Sequence, residues 1–306
     1  MAISAKDVME LRKQTDCGMM ECKKALTDAE GDFAKAIELL RERGLATAAK
    51  KAGRVAAEGM VYADYCAECK VGVVIEVNAE TDFVAKNDKF VEFVKEVSKV
   101  IMQQNPADVE ALMGCKMGEG TVDDALKQLI LVIKENIKVR RFVRYEGPCA
   151  AYVHGGGTHA VLVNFETSDE IAAKPEFAAY GKDIAMQIAA ANPSYLDEAS
   201  VPAEVIDKEK EIMLVQMSSD PKNANKPEAV KIKMIEGKLK KYYKENCLVD
   251  QEFVKDSDLS VAQYTAKVAK ELGGDIKIVK FARFQKGEGL EKRSDDFAAE
   301  VASMVK

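Results

Sequence analysis

The sequence predicts an α+β fold built on a duplicated core of antiparallel sheet and helix, with an N-terminal three-helix module, an inserted helical hairpin and a C-terminal helix. Three observations predict it. One ungapped shift of 87 residues, set by laying Phe90 on Phe177, also lays Tyr65 on Tyr152, Val74 on Val161, Thr81 on Ser168 and Asp82 on Asp169. The same shift superimposes Phe93 on Tyr180, Ile101 on Ile188 and Asn105-Pro106 on Asn192-Pro193. A second echo joins Ile137-Lys-Val-Arg-Arg-Phe-Val-Arg-Tyr145 to Ile276-Lys-Ile-Val-Lys-Phe-Ala-Arg-Phe284. Outside these echoes, apolar residues recur at helical spacing.

The elements follow in order. Residues 1–54 read as three short helices forming a docking module. Ser4 caps the first, with Val8 and Leu11; the second carries Met19, Cys22, Lys23 and Leu26; Gly31-Asp32 caps the third, with Phe33, Ile37 and Leu40. Gly44 is expected to end that helix and the Ala-Lys-rich stretch Ala46–Gly53 to act as a tether. Residues 55–142 form core half 1. Residues 143–202 and 249–284 form core half 2. Each repeat copy reads as two strands and a helix that stops at Asn-Pro, because proline disfavours helix in the residue before it. The alternating apolar and basic residues of the second echo mark half-exposed strands.

Residues 203–248 interrupt the second half. Val205–Met217 and Glu228–Cys247 have helical patterns separated by a Pro- and Asn-rich stretch, which predicts an antiparallel hairpin. Its second arm is basic, with Lys231, Lys233, Lys238, Lys240, Lys241 and Lys244, and its first is acidic, so the two arms partly neutralise one another. The tail, 285–306, carries a stripe of Phe297, Val301 and Met304 after a cap at Ser294 or Asp295.

Bulk properties narrow the function. A net charge of −6 argues against a surface that tracks nucleic acid throughout, and no apolar run approaches the roughly 20 residues of a spanning helix. With no signal-peptide pattern either, the expected location is cytoplasmic, and the seven cysteines are expected to stay free thiols. Cys66-Ala-Glu-Cys69 lacks a second closely spaced ligand pair for zinc. There is no phosphate-binding loop and no nucleophile elbow, and the two histidines, His154 and His159, bracket a glycine turn. A catalytic constellation is therefore not expected, nor a cofactor.

The stretch Asn78–Phe90 is singular. It links a buried strand, Val73–Val77, to a helix with Phe90, Phe93, Val94, Val97 and Ile101, yet it carries Phe83 and Val84 among charged neighbours. In the second copy Glu170 and Ile171 stand at these positions, so a core role shared by both halves does not require the phenyl ring.

Taken together, Leu11–Leu26, Asn78–Val84, His154-Gly-Gly and Gly287-Glu-Gly-Leu-Glu-Lys with Asp296–Val301 resemble the bacterial elongation factor Ts family, in the same order from about residue 4 to the C-terminus. The resemblance implies a nucleotide exchange factor whose partner is elongation factor Tu, in its GDP-bound and nucleotide-free forms, with no cofactor and no direct contact to nucleic acid. It implies that Thr81, Asp82, Phe83 and Val84 disturb the partner's magnesium site, that Arg12, Met19, Met20 and Lys23 line the N-terminal contact, and that His154 marks a contact of the second half. Pairing of two copies would use the hairpin or the core. The alternative to weigh is an RNA- or ribosome-binding module using the basic arm of the hairpin, which predicts steep salt dependence.

Overall fold

The computed structural model describes residues 3–15, 17–220 and 226–291. The C-terminal helix expected within 285–306, with Phe297, Val301 and Met304, lies outside the described residues. The fold is α+β. After helices α1 (Ala5–Thr15), α2 (Met19–Asp28) and α3 (Phe33–Lys51), the first half comprises strands β1 (Glu58–Cys66) and β2 (Val71–Ala79) and helices α4 (Asp88–Gln104) and α5 (Val109–Gly114). It continues through β3 (Lys116–Met117), β4 (Gly120–Thr121), α6 (Val122–Ile133) and β5 (Lys138–Glu146). The second half comprises β6 (Cys149–His154), β7 (His159–Glu166), α7 (Asp169–Ala172) and α8 (Pro175–Ala191). Helices α9 (Ala203–Ser219) and α10 (Glu228–Asn246) then precede β8 (Glu252–Phe253), β9 (Asp256–Ser260), α11 (Val261–Leu272) and β10 (Lys277–Gln285).

The repeat holds in the helices, whereas in the strands the helix-facing residues Val73, Ile75 and Val77 match Val161, Val163 and Phe165, one residue out of step with the 87-residue shift. Helix α8 is α4 displaced by 87 residues, and both end on an asparagine in the left-handed conformation, Asn105 and Asn192, which tolerate it better than most residues. Each half forms an antiparallel three-stranded sheet, β1-β2-β5 in one and β6-β7-β10 in the other. Helices α6 and α11 both begin with a capping box, Thr121 with Asp124 and Ser260 with Gln263, before the third strand.

Four layers result, helix on sheet on sheet on helix. Successive strand side chains point to opposite faces. Along β2, Val71, Val73, Ile75 and Val77 face α4 and α6, with Phe90, Val94 and Ile101. The matching cluster of Val161, Val163, Phe165, Tyr180, Ile184 and Ile188 fills the second half. The opposite faces meet between the sheets through Val61, Val74, Cys149, Ala160, Leu162 and Phe284. There Gly72 permits the approach, since a Cβ would stand 2.5 Å from Leu162 Cδ1.

The N-terminal helices bury Leu11, Leu26 and Leu40 against one another and against Leu131 of α6. Two expectations need correction here. Gly44 does not end α3, which continues to Lys51; it lies buried where the helix crosses α6, and a Cβ would sit 3.3 Å from the Lys127 carbonyl oxygen. The Ala-Lys stretch is helical, as those residue types favour. Its Ala48 packs on the first core, and Lys51 Nζ donates to the Lys134 carbonyl at 2.5 Å. The helical module is therefore braced against the body, not tethered.

The hairpin of α9 and α10 closes on Met213, Met217, Ile235 and Leu239, as its spacing predicts. Its two roots are stitched together by Ser194 and Tyr195 donating to the Asn246 carbonyl, and Leu248 donating back to Tyr195. The expectation of seven free thiols also fails at one place. Cys66 and Cys69 are joined across the β1–β2 turn, where a tight turn brings residues i and i+3 together, with Cα atoms 5.5 Å apart. The other five are free, and Cys17, Cys22, Cys149 and Cys247 are buried. Burial pushes the Cys149 thiol up to about 11. No helix among the described residues is long and apolar enough to cross a membrane.

Candidate partner-binding site

The loop between β2 and α4 is held at its base and bare at its tip. Glu80 Oε1 accepts the Asn136 backbone N–H at 2.6 Å, and Glu80 Oε2 pairs with Arg54 at 3.3 Å. Thr81 donates both its backbone N–H and its hydroxyl to Glu135, at 2.9 and 2.7 Å. Hydrogen bonds to an ionised acceptor are shorter and stronger than neutral ones, so this base is firm. Asp82 and Phe83 then turn outward, and Phe83 is 77% exposed. One residue later Val84 plunges into the first core at 4% exposure and opens a single 3-10 turn, closed by Asn87, whose side chain caps α4 by accepting from Lys89 N at 3.0 Å. The phenyl ring thus stands on a short loop fixed at both ends, and no part of the described chain covers it.

On the N-terminal helices, Met19 and Met20 are 52% and 75% exposed, and Arg12 and Lys23 lie on the surface beside them in sequence. With Val8 and Leu11 facing inward, Met9 joins Arg12 one turn away on the outer side of α1, also exposed. The corner between α1 and α2 lies against α6, where Gln128 Nε2 donates to the Thr15 carbonyl at 3.0 Å. A cleft lined by Gln14, Thr15, Lys89, Glu92 and Gln128 places that corner beside the first turns of α4, the helix that follows the phenylalanine loop.

His154 stands apart, at the tip of the β6–β7 hairpin. Gly155, Gly156 and Gly157 all take positive φ, and the turn packs across β1, with Val61 N donating to Gly157 O at 2.9 Å. His154 is exposed and its Nδ1 lies 2.9 Å from the Tyr152 hydroxyl. Opposite it, burial and then the Arg283 charge hold His159 below the usual imidazole value. No nucleophile is poised here, and among the described residues no three His, Cys, Asp or Glu side chains stand together as metal ligands.

The structure therefore sets the corner between α1 and α2 beside the first turns of α4, next in the chain after the phenylalanine loop, and leaves His154 as a separate exposed point. Reading the sequence missed Met9, Glu80, Glu135 and Asn136. Glu80 lies inside the singular stretch, and Glu135-Asn136 directly precedes the basic strand, but only the fold shows that the two meet.

An exposed aromatic loop and an exposed methionine face are the features of a protein surface that binds another macromolecule. Comparison with known proteins specifies the kind. The family model described as elongation factor TS matches residues 80–288. Elongation factor Ts of Clostridium perfringens strain ATCC 13124 is 48% identical over 306 residues, covering 99% of each chain. That of Syntrophotalea carbinolica is 48% identical over 314 residues, covering all of both, and that of Clostridium acetobutylicum 47% over 308 residues, covering 99% of this chain and 98% of the relative. The chain belongs to the elongation factor Ts family.

Proposed function

We propose that this protein is the guanine-nucleotide exchange factor of elongation factor Tu, acting in the cytoplasm without chemistry of its own. The observation that carries the reading is Phe83, an exposed ring on a loop anchored through Glu80, Thr81 and Val84. An apolar wedge that must not collapse onto its own protein needs such a base. Here Val84 acts from within, as the buried residue that sets the loop's angle, while Asp82 and Phe83 make the contact. Arg12, Met19, Met20 and Lys23, with Met9, form the second hold beside it, and His154 a third on the other half.

The physical logic is displacement at a distance. A magnesium ion bridging nucleotide phosphates keeps several of its waters, so shifting the groups that support those waters weakens nucleotide binding with no bond broken. Whatever factor by which the protein loosens GDP is the factor by which GDP loosens the protein, so the nucleotide-free complex dissolves when GTP enters. Moving such an equilibrium by ~10⁴ takes about 5.5 kcal/mol. One phenyl and two methionine side chains, at roughly 1.5–3 kcal/mol each when fully covered, are of that size. The test is stopped-flow release of a fluorescent GDP from elongation factor Tu. The protein at saturating concentration should accelerate release, and Phe83→Ala should lose most of the gain while still binding. An unchanged release rate with wild-type protein would sink the reading.

A further inference from the structure

Glu76 is a fully buried carboxylate in the middle of β2, on the face that looks toward the second sheet. Its Oε1 accepts from Arg140 Nη1 at 3.0 Å, Asn78 Nδ2 at 3.1 Å and the backbone N–H of Gly287 at 2.8 Å; its Oε2 accepts from Arg141 Nε at 2.6 Å and Arg140 Nη1 at 3.1 Å. Two consecutive strand residues ordinarily point to opposite faces. Both arginines reach one carboxylate because the β2–β5 register slips between Glu76 and Val77, leaving Arg140 as the extra residue of a bulge.

The second half shows that the bulge does not require the ions. Its β10 slips at the corresponding place, where Val279 is the extra residue, and the uncharged Asn164 stands beside the slip as Glu76 does in the first half. The ion cluster is therefore an addition to the first half, and what it adds is a grip on residues 286–288. Besides the Gly287 bond, Arg141 Nη2 pairs with Glu288 at 3.2 Å, the Arg141 guanidinium lies 4.2 Å over the Phe284 ring, and Lys286 pairs with Glu58. Asn78 carries the same network the other way. Its Nδ2 also donates to the Glu58 carbonyl at 3.1 Å, and two residues later the chain enters the loop that presents Phe83.

We propose that Glu76 is a positioning residue that fastens residues 286–288 to the root of the phenylalanine loop, so that the described segment 286–291 and that loop leave the body from one common base. The proposal rests on the exchange reading for its consequence, though not for its geometry. A buried carboxylate between two guanidinium groups is a strong fastener because removing it strands both cations. When 286–291 is loosely rooted it must be ordered anew at each encounter, which weakens association without altering the wedge.

The test uses the full chain, wild type, Glu76→Gln and Gly287→Ala. The second variant leaves the ions in place but sets a Cβ 2.2 Å from the Ala57 carbonyl oxygen at a residue with φ of 68°, so it unseats the same segment by a different route and carries the test if Glu76→Gln fails to fold. Amide hydrogen exchange of 286–291 should quicken at least about tenfold in either variant, as local opening is promoted. The concentration for half-maximal GDP release should rise about tenfold, with the saturating rate kept within about twofold. Unchanged protection of 286–291 in the folded variants, or a saturating rate that falls with the half-maximal concentration unmoved, overturns the proposal. If wild-type protein fails to accelerate release, the exchange reading is lost, and the amide protection alone decides whether Glu76 holds the segment.

Discussion

The two halves of the body share their strands, helices, bulges and helix ends, yet they treat one pair of positions differently. Val84 and Ile171, aligned by the repeat, are each 4% exposed, and both drive the chain back into the core after the second strand. The residue before them is Phe83 in one half and Glu170 in the other, and both point to solvent. The scaffold needs an apolar residue at the second position and is indifferent to the first. That indifference makes the first position available for function. The difference extends below the loop: the first half anchors it by side chain to side chain, Thr81 to Glu135, whereas the second uses Thr167 donating to the Asp275 carbonyl and Ser168 capping α7.

Exchanging the tips should break the comparison most sharply. Phe83→Glu, which copies the second half's residue into the first, is expected to lower the saturating rate of GDP release by about tenfold to a hundredfold, the worth of one large apolar contact. Its urea midpoint should stay within about 0.5 kcal/mol of wild type, because the ring is exposed. The reciprocal Glu170→Phe should leave release unaltered. Exchanging the shared position instead should strike folding: Ile171→Ala and Val84→Ala are each expected to cost roughly 2–4 kcal/mol in urea unfolding, with neither half spared. A smaller effect belongs to the anchor. Thr81→Ala removes one hydroxyl bond to the Glu135 carboxylate, worth about 1.5–3 kcal/mol at most, and should appear as faster amide exchange across 80–83.

Much of this was legible before the structure, for identifiable reasons. The 87-residue shift located both copies because the helical period and the Asn-Pro stops are written in local residue types. The hairpin followed from proline and periodicity. Charged neighbours and Glu170 in the second copy set Phe83 apart, but local pattern alone favours a ring folded back on the following helix, and only the family resemblance turns it outward. What escaped were facts that depend on where distant segments meet. Gly44 reads as a helix stop by local preference, and only its crossing with α6 explains a glycine inside α3. Glu76 reads as one charge in an apolar strand, with nothing local to show that a bulge turns two arginines toward it. Cys66 and Cys69 read as two thiols until the turn joins them.

The smallest expected effect separates the two β-hairpin ends. The repeat lays His159 on Gly72, so the first half has no titrating group where the second has an imidazole. His159 is half-buried, with Thr158 Oγ1 3.2 Å from its Nδ1, and Arg283, Gln285, Glu288 and His154 around it. Burial first, and Arg283 second, lower its proton affinity, against weaker opposing pulls from Gln285 and Glu288. A group whose folded pKa lies below its unfolded value, near 6.5 for histidine, takes up its proton first in the unfolded chain as pH falls. Its contribution is fully present above the unfolded value and is lost as pH drops through the folded one. Wild-type protein should therefore show a lower urea midpoint at pH 5.5 than at pH 7.5, by on the order of 0.1–0.2 M from this site, since water still reaches the ring. His159→Gln should remove that share of the slope.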